Sequence, residues 1–91
     1  CGALVGAVMA VGLKHGRVRG DEDNRAAYGR SQGILRRFQE EMGSDLCCEL
    51  TGMDLSTPEG SKAFRQSDVP ERVCRQCILT AARLAEEQVA V

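Results

Sequence analysis

From Cys1 to His15 almost every position is apolar, with no wet face, and Gly16 ends the run. Such a segment reads as a helix surrounded on all sides, the buried central helix of a bundle. Within it Gly2, Gly6 and Ala10 recur every four residues and leave one face almost bare of side chains. Glycine in a helix interior costs roughly 1 kcal/mol against alanine, so Gly2, Gly6 and Gly12 imply a closely packed neighbour that offsets the cost. Arg17 to Asn24 is polar, carries Gly20 and reads as a loop. Asp23 or Asn24 can cap a second helix running to about Met42. Its apolar stripe is Ala27, Ile34, Leu35, Phe38 and Met42, while Arg30, Arg36, Arg37, Glu40 and Glu41 form a solvated face.

Gly43-Ser44 interrupts that helix, and Ser44 is placed to cap a short one with Asp45, Leu46 and Cys47 in its first turn and Gly52 as its stop. Thr57-Pro58-Glu59 starts another short helix, with Thr as cap and Pro in the first position, ending near Gln66. Asp68-Val69-Pro70-Glu71 resembles a capping box opening the last helix. The stripe of that helix is Cys74, Cys77, Ile78, Ala81, Leu84 and Ala85. No segment alternates as a strand does. The pattern predicts an all-α fold: a small helical bundle of three main helices and one or two short ones, without a sheet, in a single domain over residues 1–91.

Ninety-one residues lie near the lower limit for a comfortable core. Apolar residues make up 43% of the chain, yet the only aromatic ones are Tyr28, Phe38 and Phe64. A core of Ala, Val, Leu and Gly buries little area per residue, so a partner chain or a cross-link is expected, and homo-oligomerisation with it. Twelve basic against 13 acidic residues give a net charge of −1, which offers no attraction for nucleic acid or an anionic membrane. The apolar run Ala3–Leu13 is too short to span a bilayer and has no basic segment before it. Because the chain opens on Cys1 and not on Met, a fragment or processed product is expected. An odd cysteine count without a dense framework favours a reduced, cytoplasmic setting.

The five cysteines are the distinctive chemistry. A thiol reacts as its thiolate, which the first turn of a helix stabilises. Cys47 falls at such a start, Cys74 one turn into the last helix, and Cys1 opens the first. Against this stands the plainer reading that a cysteine is often a small buried hydrophobe. Cys74-Arg75-Gln76-Cys77 has the spacing of a redox or metal motif, and on a helix both sulfurs share a face. Such a redox motif normally follows a strand, however, and none is predicted. Zinc needs a second pair, and the adjacent Cys47-Cys48 suits tetrahedral ligation poorly. An iron–sulfur cluster on Cys1, Cys47 and Cys74 lacks an assured fourth thiolate. His15, beside Gly16, is placed to cap carbonyls at a helix end. Phosphate-binding glycine loops, nucleophilic serine motifs and a cysteine pair followed by His are absent from the sequence.

These residues bring a family into view. Cys1 through Gly16 (CGALVGAVMAVGLKHG) resembles the central motif of the redox-active proteins named for the cysteine pattern C, GCAxxG, C, C. Gly43 to Leu55 is similar to that family's third cysteine segment, and Arg72-Val73-Cys74 with the following Ala-rich helix to the fourth. The resemblance covers nearly the whole chain in the same order. It implies that Cys1, Cys47 and Cys74 are the redox-active, catalytic cysteines and the candidate ligands of any metal, with Cys48 and Cys77 as extras. Two features depart from the pattern. Gly6 is five residues after Cys1, where the pattern places Gly four after its Cys, and the pattern's leading cysteine has no counterpart here. An N-terminal part carrying that cysteine is therefore expected to be missing.

The resemblance implies thiol–disulfide exchange or electron transfer, with a redox partner and possible help from a bound metal or iron–sulfur cluster. The alternative reading is a non-catalytic assembly or dimerisation module whose cysteines only pack. Under the redox reading at least two of Cys1, Cys47 and Cys74 should lie within disulfide reach, Cα atoms within ~7 Å, or share a metal. Cys47 with Cys74 is the favoured pair, because Cys1 can answer to the missing upstream cysteine.

Overall fold

The computed structural model describes residues 1–90. Helix α1 spans Gly2–His15, α2 Arg25–Met42, α3 Cys47–Thr51 and α4 Pro58–Arg65. A π-helical turn, Pro70–Cys74, then runs directly into α5, Arg75–Val89. No strand forms among the described residues. The fold is thus an all-α bundle in which the main helices α1, α2 and α5 each pack on the other two. α1 and α5 run parallel: at their C-terminal ends His15 Nε2 lies 2.9 Å from the Gln88 carbonyl oxygen. α2 runs antiparallel to α5, since Arg30 near its start reaches Gln88 Oε1 at 3.1 Å, while Glu41 near its end accepts from Arg83 at 2.6 and 2.7 Å.

The core follows from helical spacing. Leu4, Ala7 and Val11 come from α1, Ile34 and Phe38 from α2, and Cys77, Ala81 and Leu84 from α5. Val11, Ile34, Phe38 and Leu84 are fully buried, each contributing about 1.5–3 kcal/mol of transfer free energy. α1 is not the enclosed central helix that its composition suggested. It buries only that one stripe, leaving Val5, Met9 and Leu13 58%, 66% and 92% exposed. With only α2 and α5 to cover it, one side of α1 faces outward. A methyl group added at Gly2, Gly6 or Gly12 would meet nothing within 4 Å, so these glycines admit no close helix within the chain. Ile78 likewise departs from its expected stripe and is 58% exposed.

The charged side of α2 is only partly a solvated face. Arg37 pairs with Glu87, and Glu41 with Arg83, tying α2 to α5 along their flank. These half-exposed pairs set alignment more than energy. His15 caps a carbonyl as expected, but of α5 and not of its own helix.

The short elements start partly where the sequence indicated. Thr57 caps α4 by accepting the Gly60 N–H at 3.0 Å, with Pro58 first in the helix. Ser44 does not cap α3; it accepts the Leu46 N–H at 3.1 Å, and the helix begins only at Cys47. Ahead of the last helix Ser67, not Asp68, accepts the Val69 N–H at 3.2 Å, and no side chain caps the turn Pro70–Cys74. Asp68 pairs with Arg72 instead. Gly43 and Gly52 end α2 and α3 with φ of 88° and 72°, left-handed geometry that glycine adopts without penalty. No helix among the described residues is long and apolar enough to cross a membrane.

Candidate functional site

The loop after α2 and the single turn of α3 fold over one end of the bundle, where α1 and α5 both begin. The Cys1 nitrogen donates to the Asp45 carbonyl oxygen at 2.8 Å, pinning the start of α1 beneath that loop. α3 in turn packs against the π-helical turn Pro70–Cys74. Between these segments lies a cavity of about 170 Å³. Cys1, Cys47, Cys74 and Cys77 line it, together with Leu50, Thr51 and Ile78. All the cysteines are free thiols.

Each thiol reaches the cavity from a different local setting. Cys1 is half-buried at the N-cap of α1. Cys47, the first residue of α3, is exposed. Cys74 is half-buried and closes the π turn, in which the Arg75 N–H donates to the Pro70 carbonyl five residues back. π-turns of this kind recur at functional sites. Cys77 is buried in the first turn of α5 and belongs to the hydrophobic core as well as to the cavity wall. Burial pushes its thiol pKa up, and the nearby Cys74 and Cys47 thiolate charges add to that rise.

The three cysteines singled out in the sequence therefore meet at one cavity, and Cys77 meets them there. Its signal was the three-residue spacing from Cys74, which puts both on one helix face. Cys48 does not line the cavity and is exposed. Among the described residues no three metal-ligating side chains are arranged to hold a metal ion. A wider hollow of about 540 Å³, lined in part by Glu49, Arg72 and Gln76, carries no cysteine.

An all-α bundle with thiols from three separate segments gathered at one end defines the class: a helical protein with a cysteine-lined cavity. The chain belongs to the family described as "Putative redox-active protein (C_GCAxxG_C_C)", whose model matches residues 1–88. No curated protein and no solved structure matches the chain.

Proposed function

We propose that this protein is a thiol–disulfide exchange protein whose reactive centre is the thiol-lined cavity, with Cys47 and Cys74 as the first pair to join. The observation that carries this reading is the convergence of Cys1, Cys47 and Cys74 on one cavity from elements far apart in the chain. Exposed Cys47 is the thiol an outside disulfide can meet. Its thiolate attacks one sulfur of a disulfide R–S–S–R; a Cys47–S–S–R bond forms, and the first R–S⁻ leaves and takes up a proton. The Cys74 thiolate then attacks the Cys47 sulfur and expels the second R–S⁻, which is protonated in turn. The protein has given up two electrons and two protons as two R–SH form, and each bond broken is matched by one made.

The test is alkylation and mass measurement of reduced protein and of protein challenged with glutathione disulfide. Oxidised protein should carry two labels fewer, Cys74 always among the unlabelled residues and Cys48 labelled in both samples. Rapid acid trapping should find Cys47 joined to Cys74 at the earliest times. Equal labelling of every cysteine before and after challenge would defeat the reading.

A second reading, association of copies of the chain, is supported by the outward Val5, Met9 and Leu13 on α1. It is compatible with the first, because that face includes none of the cavity thiols except at the Cys1 end.

A further inference from the structure

We propose that Cys77, which matches no cysteine of the family pattern, is a resolving thiol that takes over the disulfide from Cys47 and leaves it on Cys74–Cys77. The inference rests on the thiol-exchange reading above and names a further residue at that same centre. Cys77 is 3% exposed, too enclosed to meet a disulfide from outside. It nevertheless lines the cavity beside Cys74 and Cys47, so a disulfide between those two brings an electrophilic sulfur to it. Cys74 and Arg75 both have helical backbone angles, φ −63° and ψ −36°, φ −59° and ψ −43°. Residues three apart on such a helix have Cα atoms about 5 Å apart by its rise and radius, inside the range that disulfides span. Their Cβ atoms, about 5–6 Å apart on a regular helix, must draw closer by roughly 1–2 Å. The π turn ending at Cys74 is the irregular stretch of backbone that can take up this shift.

The order of events also follows from the surroundings. In the reduced centre burial raises the Cys77 thiol pKa, so Cys77 is not the thiol that reacts first. Joining Cys47 to Cys74 places a disulfide sulfur in the cavity that Cys77 lines, and only then has Cys77 a sulfur to attack. The Cys77 thiolate then attacks the Cys74 sulfur, the Cys47–Cys74 bond breaks, and Cys47 leaves as thiolate and takes the proton that Cys77 released. One S–S bond is exchanged for another, no electrons are gained or lost, and no co-reactant is needed. Cys47 is thereby returned to its thiol form at the surface, ready for another encounter.

The full chain with Cys47→Ser tests this, because Cys47 is exposed and its replacement leaves the core untouched. Wild type and variant are equilibrated in a dithiothreitol redox buffer, acid-trapped, alkylated and digested with trypsin. Cleavage after Arg75 separates the Cys74 peptide from the Cys77 peptide, so a bond between them is read directly. Cys47→Ser is expected to lose two thiols and to join those two peptides. In Cys77→Ala the bond should stay on Cys47–Cys74. Retention of every thiol by Cys47→Ser where wild type loses two, or a Cys1–Cys74 bond in its place, overturns the role of Cys77. If wild type itself loses none, it is the exchange reading that fails, and this inference with it.

Discussion

At the scale of single residues, Cys77 and Phe38 carry the sharpest expectations. Cys77 holds its proton to higher pH in the folded protein than its ordinary value of 9.0, chiefly through burial. Below that ordinary value both folded and unfolded chains keep the proton, and stability does not depend on it. As pH rises past it the unfolded chain ionises first, so the reduced protein loses stability until the folded thiol ionises as well. Urea midpoints of reduced protein from about pH 7 to about pH 10 should therefore fall more steeply for wild type than for Cys77→Ala, and parallel curves would contradict it. Phe38 is 0% exposed at the meeting of the main helices. Phe38→Ala should cost about 3–5 kcal/mol, against a total of about 5–14 kcal/mol for a chain of this length; urea denaturation measures it. Phe38 was legible from its place in the α2 stripe. Cys77 was legible as a position but not as a role, because the cavity it lines exists only once α3 folds back over the starts of α1 and α5.

Among the elements, α1, α2 and α5 could be read from the chain because helical period and strong breakers agree at their ends. What could not be read was which side of α1 is covered. An evenly apolar helix looks the same from every direction, and its neighbours, not its own sequence, decide the face it buries. The caps of the short elements were harder to read: Ser44 accepts the Leu46 N–H just ahead of α3, and Ser67, not the neighbouring Asp68, accepts the Val69 N–H. Two helical glycines now make opposite predictions. Gly6 on α1 borders open space, so Gly6→Ala should raise the stability of the monomeric chain by about 1 kcal/mol through helix propensity. A methyl at Gly60 on α4 would lie 1.8 Å from the Asp54 carbonyl oxygen, a backbone atom that cannot swing away. Gly60→Ala should open the segment from Asp54 to Arg65, seen as faster amide exchange there with α1 unchanged. A stabilised α4 would contradict this.

At the largest scale, the chain is more extended and more exposed than its length requires. The radius of gyration is 15.1 Å, against about 12 Å for a compact chain of this length. The accessible surface is 6118 Å² for a mass of 9.8 kDa, about 950 Å² more than the usual scaling gives. That excess is close to what each partner contributes to a standard protein interface, about 800 Å². Much of the exposed apolar surface is on α1, at Val5, Met9 and Leu13, and on α5, at Ile78 and Leu79. A second copy seated along α1 would cover the first group without closing over Cys47. Dimerisation at roughly tens of micromolar, the range of weak affinities, is the expected outcome in sedimentation or light scattering. Met9 is 66% exposed in the single chain, so Met9→Glu should leave the helical content unchanged and shift the protein to monomer, the buried carboxylate being costly at such an interface. If wild type is a clean monomer at that concentration, or if Met9→Glu dimerises as wild type does, the outer face of α1 is not where copies meet.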